Sequence, residues 1–140
     1  MDDYDEQCKR SAAILDEDEP PAVEFETLVK YHVYLEDNLK QPCLLTGIED
    51  FDWEERFLFG YGSKQEYEIL KKTQPSFKDT FKFLKFEDET DEFYGVMVSV
   101  RRVSDKRKFT LPLADLECTD ANSVNYQLIN DYVVWFVNNR

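Results

Sequence analysis

The sequence predicts an α+β fold in which a small, strongly curved antiparallel sheet, or a barrel-like core, is flanked by an N-terminal and a C-terminal helix. Apolar residues recur at helical spacing after an early Pro-Pro pair and again near the end of the chain. Between these two stripes lie several short segments rich in aromatic and β-branched residues, which favour strands. A chain of 140 residues is long enough to bury one core, so we expect one folded domain.

The charge balance narrows the classes of function. The chain has 30 acidic residues against 17 basic ones, which gives a formal net charge of −13. A field of this sign repels phosphates and anionic lipid surfaces, so we expect neither nucleic-acid binding nor membrane binding. Cations and basic proteins are the partners that such a charge favours.

Cysteine and histidine usage predicts a reduced, cytoplasmic protein. The three cysteines lie far apart and the chain has one histidine, so we expect neither a Cys/His zinc site nor a disulfide framework. Cys43 lies in an apolar run and is interpreted as a core residue. No secretory signal is recognisable, and no apolar run approaches the roughly 20 residues of a membrane span.

Residues 1–21 are predicted to be an acidic, flexible tail, and residues 22–140 the single domain. Residues 1–26 carry ten acidic and two basic residues, a local charge of −8, whereas residues 27–140 carry 20 and 15, a charge of −5. Four consecutive acids at 16–19 run into two prolines that stop any preceding helix. Removing residues 1–20 should therefore leave the fold intact.

The remaining elements follow in order along the chain. The first apolar stripe predicts a helix over residues 22–38, which ends at Asn38 because Pro42 forbids its continuation. Residues 64–72 suit either a strand or a helical turn, residues 112–117 predict one helical turn, and residues 123–137 favour a helix over a strand. Strands are predicted at residues 43–48, 56–60, 77–86, 93–103 and 107–111. The last three of these strands form two hairpins, the first with an acidic tip.

Oxygen-donor side chains cluster on both sides of the strand at 43–48. One group closes the first helix, where the negative end of the helix dipole disfavours carboxylates unless a cation is bound. The candidate ligands are Glu36, Asp37 and Asn38, then Glu49, Asp50, Asp52 and Glu54, with Asp115, Glu117 and Asp120 after the last hairpin. A turn that joins these groups would form a site for a hard cation, with Ca²⁺ preferred over Mg²⁺ because loop carboxylates adapt to its loose geometry.

The spacing does not match an EF-hand. Counting from Asp50, the sixth position is Glu55 instead of glycine, and the twelfth is Tyr61 instead of glutamate. Acidic loops are also commonly just solvated. The same two interpretations apply to the hairpin tip Glu87–Glu92, a weaker candidate site, and the basic residues 101–108 either contact an acidic partner or balance nearby carboxylates.

Three phrases resemble a known family. Residues 31–39 read YHVYLEDNL and are followed by Pro42, residues 109–117 read FTLPLADLE, and residues 129–135 read INDYVVW. Over roughly residues 28–137 the chain is similar to the CcbP family of cyanobacterial calcium-binding proteins. The resemblance implies a small α+β protein that binds Ca²⁺ through carboxylates and acts as a buffer or sensor in heterocyst differentiation. It also places the family's aspartate on Asp37, which we rank first among the ligands.

The sequence therefore predicts a monomeric calcium-binding protein rather than an enzyme, since no nucleophile motif is present. A regulatory protein or a protease is the further partner considered. The alternative function is an acidic interaction module that mimics nucleic acid or masks a basic partner. The two differ in charge placement, because a metal site needs carboxylates that converge from separate segments.

Overall fold

The computed structural model describes residues 4–60 and 62–140 and confirms the predicted α+β class. Within these residues the helices are α1 Tyr4–Ile14, α2 Phe25–Asn38, α3 Glu55–Leu58, α4 Lys64–Leu70 and α5 Val124–Asn138. The strands are β1 Leu44–Gly47, β2 Thr80–Phe86, β3 Met97–Arg102, β4 Lys108–Pro112 and β5 Leu116–Cys118. A 3₁₀ turn at Leu113–Asp115 connects β4 to β5. None of the helices in the described ranges has the length and apolar character needed to cross a membrane.

The five strands form one antiparallel sheet in the order β4-β3-β2-β1-β5. The two predicted hairpins are present, since β2 pairs with β3 and β3 with β4. The sheet is open, with β4 and β5 as its edges, so the core is a sheet rather than a closed barrel. Strand β5 crosses back to lie beside β1, which places the end of β1 next to the 3₁₀ turn.

Aromatic side chains join the two long helices to the sheet. Tyr31 on α2 packs against Tyr132 and Trp135 on α5, with ring centroids 5.2 and 5.0 Å away. The Tyr132 hydroxyl accepts a hydrogen bond from Val96 N at 2.8 Å, just before β3. These rings and the inward residues of β2 and β3 form a single core, as the length of the chain predicts.

Helix α1 lies where the sequence analysis predicts a flexible tail. Ser11, Ala12 and Leu15 are buried, and Ser11 Oγ shares a hydrogen bond of 2.9 Å with Tyr31 Oη. Arg10 donates two hydrogen bonds, of 2.7 and 2.9 Å, to the carboxylate of Asp131 on α5. The helix escapes prediction because its buried face consists largely of small and polar residues, whereas the neighbouring acids dominate the composition. Residues 1–20 thus include part of the packed structure.

Two further segments differ from prediction or settle an open choice. Residues 55–58 form helix α3 instead of the predicted strand at 56–60, because Phe57 packs against Trp53 and Tyr67 rather than pairing in the sheet. Helix α4 resolves the alternative at residues 64–72, and Ser63 Oγ caps it by accepting from Glu66 N at 3.0 Å. The predicted C-terminal helix is confirmed as α5.

Candidate metal centre

Three carboxylates from two segments lie near one end of the β1–β5 pair. Ile48 N donates a 3.0 Å hydrogen bond to the main-chain oxygen of Asp115, which fixes the 3₁₀ turn beside the chain that leaves β1. Glu49 and Asp52 follow on that chain, and the side chains of all three acids are exposed. We call Glu49, Asp52 and Asp115 the acidic edge. Asp50 lies within the same segment and is half-buried.

The electrostatics of the acidic edge favour positive charge. The pKa of Asp115 is raised, first by partial desolvation of its carboxyl group and then by the negative charges of Asp52 and Glu49. The positive charge of Arg140, at the end of α5, opposes this shift. Ionised Asp115 is therefore disfavoured in the folded protein, although solvent screens the repulsion because these residues are exposed. A bound cation would remove the penalty.

The acidic edge is not assembled into a finished coordination sphere. Within residues 4–60 and 62–140, no three His, Cys, Asp or Glu side chains lie close enough together to hold a metal ion. The donors are carboxylate oxygens, the ligands that hard cations prefer, and Ca²⁺ accepts loose geometry completed by main-chain carbonyls and water. The residues present therefore fit calcium in chemistry, and binding would require them to draw closer.

Glu54, another candidate ligand, is buried inside the protein. Its Oε2 accepts hydrogen bonds from Tyr67 Oη at 2.6 Å and Ser76 Oγ at 2.8 Å, and its Oε1 accepts from the main-chain nitrogens of Phe77 at 2.8 Å and Phe51 at 3.3 Å. The residue is 0% exposed. Because four donors already surround this carboxyl group, it joins α3, α4 and the segment that leads into β2, and we leave it out of the proposed ligand set.

The candidate ligands on α2 lie away from the acidic edge. Glu36, Asp37 and Asn38 are exposed on the last turn of that helix. Just beyond them, the side chain of Asn125 at the start of α5 exchanges two hydrogen bonds with the main chain of Lys40. Asp115 instead interacts with the opposite end of α5, a helix of 15 residues that spans roughly 22 Å. The structure thus does not bring the two groups together.

Glu36 faces the acidic hairpin tip instead. Its Oε1 lies 2.6 Å from His32 Nε2, and both side chains line a groove of about 470 Å³ with Asp88 and Glu89 from the tip. Within the tip, Asp91 Oδ1 accepts hydrogen bonds from two main-chain nitrogens. The tip therefore has an ordered turn beside α2.

The last two candidates, on β5 and after it, serve local structure. Asp120 Oδ1 accepts a hydrogen bond from Asn122 N at 2.9 Å in the turn before α5. Glu117 is half-buried and pairs with Thr46 across the β1–β5 ladder. Sequence reasoning includes Asp115 but does not single it out, and it misses Arg140 as the opposing charge. The usable signal was the LADLE phrase, which places one carboxylate at the turn.

Within the basic segment 101–108, Arg102 and Arg107 pair with carboxylates, whereas Lys106 and Lys108 are exposed. Arg102 is 3% exposed and pairs with Asp79 at 2.9 Å and Asp105 at 2.8 Å. It also donates to three main-chain oxygens after α4, those of Lys71, Lys72 and Gln74. Hydrogen bonding to Asp105 is the largest cause of its raised pKa. This arginine thus fixes the end of α4 to the sheet.

The comparison with protein families decides the affiliation of the chain. A CcbP family model described as calcium binding matches residues 63–136, more than half of the sequence. The chain belongs to this calcium-binding family. The matched region contains Asp115 and Asp120, whereas the candidates on α2 and at residues 49–54 precede it.

Solved structures share the fold. The crystal structure of Anabaena CcbP matches with a TM-score of 0.60 and 17% identity, over 96% of this chain and 92% of that chain. A structure described as a calcium-binding protein in the calcium-binding form matches with the same score and identity, over 96% and 91%. No curated protein matches the sequence. At this identity the likeness establishes the α+β fold of the CcbP family.

Proposed function

We propose that this protein binds Ca²⁺ at the acidic edge. The observation that carries the proposal is the pairing of β5 with β1, in which Ile48 N donates to Asp115 O at 3.0 Å and so sets Asp115 beside the segment that contains Glu49 and Asp52. The raised pKa of Asp115, caused first by desolvation and then by the charges of Asp52 and Glu49, supports the proposal. In a member of a calcium-binding family, carboxylates that repel one another across two segments are suited to share a divalent cation. Asp50 is the nearest additional donor in sequence.

Calcium binding at this place would be coupled to a local rearrangement. The hydrogen bond from Ile48 N to Asp115 O acts as a fixed point between the two segments. A cation that attracts all three side chains would draw residues 49–52 toward the 3₁₀ turn, since these groups are not yet in coordination contact. A calcium sensor requires a change of position of this kind, and the excess negative charge suits a buffer.

The wider role proposed is that of a monomeric cytoplasmic calcium buffer or sensor. The resemblance to the cyanobacterial family extends this proposal to calcium signalling in heterocyst differentiation, with a regulatory protein or a protease as the downstream partner. The fold and the acidic surface are compatible with this role, and the calcium chemistry of the acidic edge is its first requirement.

Calorimetric titration of the full chain with Ca²⁺ tests the proposal. Asp115→Asn and Asp52→Asn should each weaken binding by about tenfold, equivalent to roughly 1.4 kcal/mol, because each removes one charged ligand and keeps the side-chain shape. Mg²⁺ should bind more weakly than Ca²⁺ because it demands a tight octahedron and resists dehydration. Asp18→Asn, at an exposed acid outside the site, is the matched control for net charge.

The ranking of Asp37 from the family resemblance gives a direct alternative in the same experiment. If the tight site lies at the end of α2, Asp37→Asn will weaken calcium binding and Asp115→Asn will not. That result would move the site to the C-terminal end of α2. The absence of saturable heat at millimolar Ca²⁺ in the wild type would overturn calcium binding itself.

A second candidate function, binding of a basic protein segment, is favoured by one surface feature. A groove of about 590 Å³ is lined by Trp53, Phe57, Phe59 and Leu70 and is bordered by two acids, Asp52 and Glu55, and one cation, Arg56. Phe59 is 67% exposed, which is unusual for so large an apolar side chain. A basic amphipathic helical peptide should bind here with an affinity that falls with salt, and Phe59→Ser should weaken it. Equal binding by wild type and variant would exclude this groove.

A further inference from the structure

Two buried cysteines lie next to each other at the opposite end of the β1–β5 pair from the acidic edge. Cys43 immediately precedes β1, and Cys118 is the last residue of β5. Their sulfur atoms are 3.7 Å apart, although the residues are 75 positions apart in sequence. A disulfide bond requires about 2.05 Å, so the sulfurs would have to approach by about 1.7 Å.

The main chain holds both cysteines in place. Cys43 O accepts a hydrogen bond from Phe83 N on β2 at 2.9 Å, and Leu44 O accepts one from Thr119 N at 3.1 Å. The second bond continues the β1–β5 pairing one step beyond Cys118. The register pairs Cys118 with Leu45, so Cys43 lies diagonally across from Cys118, two residues before Leu45 on the same face of the sheet. The strand pairing, and not a loop, therefore fixes the separation of the two thiols.

The surroundings of the two thiols are unequal. A hydrogen bond with Cys118 lowers the pKa of Cys43, Asn125 adds to the effect, and burial opposes it. The pKa of Cys118 is raised by the same hydrogen bond, by burial and by nearby negative charges that include Asp120. Cys43 is thus the sulfur that more readily becomes a thiolate, the reactive form of cysteine.

We propose that Cys43 and Cys118 form a reversible intrachain disulfide when the protein meets a hydroperoxide. The Cys43 thiolate attacks one peroxide oxygen, the O–O bond breaks, and Cys43 becomes a sulfenic acid while hydroxide leaves. The Cys118 sulfur then attacks the Cys43 sulfur, and the sulfenic hydroxyl leaves as water with the Cys118 proton. With hydrogen peroxide, two thiols and one peroxide give one disulfide and two waters. Each sulfur loses one electron, and the peroxide gains two.

The disulfide would clamp an edge strand of the sheet. Strand β5 has three residues, pairs only with β1 and forms one border of the sheet. A covalent link at its end closes a chain segment of 75 positions, which restricts the unfolded chain more than a short loop would. The oxidised form should therefore melt several degrees higher than the reduced form. This inference does not depend on calcium binding.

Treatment of the reduced full-length protein with hydrogen peroxide, followed by catalase, tests the proposal. Thiol titration under denaturing conditions should fall from three thiols to one, and the intact mass should fall by two hydrogens. A non-reducing peptide map should join the segments that contain Cys43 and Cys118. Dithiothreitol should restore all three thiols.

Cysteine variants separate this pair from the third cysteine. Cys8→Ser, at a half-buried cysteine on α1, is the matched control and should still lose two thiols on oxidation. Cys43→Ser and Cys118→Ser should each abolish the disulfide. Retention of all three thiols in the wild type, or a linkage that involves Cys8, would overturn the proposal. The wild-type peptide map gives this answer even if the serine variants fail to fold.

Discussion

The acidic edge and the buried Glu54 lie close together along the chain but hold negative charge in opposite ways. Glu54 has four hydrogen-bond donors and no exposed surface. Asp115 lies at the surface, and its pKa is raised first by partial desolvation of its carboxyl group and then by the charges of Asp52 and Glu49. The protein supplies hydrogen-bond donors to the carboxyl group of Glu54. For Asp115 it supplies only the weakly opposing positive charge of Arg140.

This contrast separates acids that maintain the fold from acids available to a ligand. Buried polar groups are stabilising only when their partners are present, so removing such an acid leaves its donors unsatisfied. Removing an exposed acid from a group of like charges relieves repulsion. The sign of the stability change that a substitution causes, measured with and without calcium, therefore shows whether a carboxylate maintains the fold or is available to a ligand.

The largest expected effect is at Glu54. Glu54→Ala should lower the free energy of unfolding by about 3–5 kcal/mol, because it leaves the Tyr67 and Ser76 hydroxyls and two main-chain nitrogens without their acceptor. Urea denaturation should show the same loss in calcium and in chelator. Glu55→Ala, at the exposed neighbouring acid, is the control and should change little. A loss seen only in the presence of calcium would make Glu54 a ligand.

The ion pair between α1 and α5 should have the next largest effect. Asp131 is buried, and Arg10→Met removes the guanidinium that donates to both of its oxygens. We expect a loss of about 3 kcal/mol, near the low end for breaking a buried pair, because Gln7 still donates to Asp131 and Arg10 is partly exposed. Lys9→Met, at the exposed neighbouring cation, is the control. Equal stability of wild type and Arg10→Met would support the flexible-tail interpretation of residues 1–21.

A smaller change in stability is expected for Asp105→Asn at acidic pH. The pKa of Asp105 is lowered to about 2, first by a hydrogen bond from Arg102. Since the folded pKa lies below 3.8, the ordinary pKa of an aspartate, the stabilisation by this pair is complete above that value and is lost as the pH falls through about 2. The stability difference between wild type and Asp105→Asn should therefore shrink between these two values. An unchanged difference across this range would contradict the pairing.

The sequence predicts the fold much better than it predicts the site. Helical spacing identifies α2 and α5, and alternating aromatic and β-branched residues identify the two hairpins, because these elements bury one continuous face. Helix α1 is missed because its buried face carries small and polar residues, and α3 is misassigned because its aromatic side chains pack on one another. In both segments, tertiary contacts determine the structure.

The site depends on distances that spacing along the chain does not specify. The short strand β1 suggests that Asp37 and the Glu49 segment approach each other, but the two groups lie toward opposite ends of α5. Likewise, Glu54 follows the same alternation as Asp50 and Asp52, and only the positions of Tyr67 and Ser76 show that it points inward. The partner of Asp115 is set by the return of β5 to β1, a long-range pairing.

The smallest effect, and the one that distinguishes the acidic edge most directly, is expected for Asp115→Asn. The raised folded pKa of Asp115 means that its contribution to stability is present at low pH and is lost as the pH rises through that pKa. In chelator at neutral pH, Asp115→Asn should therefore be more stable than wild type, by only a few tenths of a kcal/mol because the residue is exposed and screened.

In saturating calcium the order of stability should reverse, since the wild type gains more from the bound ion. Thermal melts of both proteins in chelator and in calcium, with Asp18→Asn as the charge control, measure the two differences. A loss of stability in both conditions would show that Asp115 maintains the fold as Glu54 does. The opposite signs expected here require both the repulsion among the three carboxylates and a cation that relieves it.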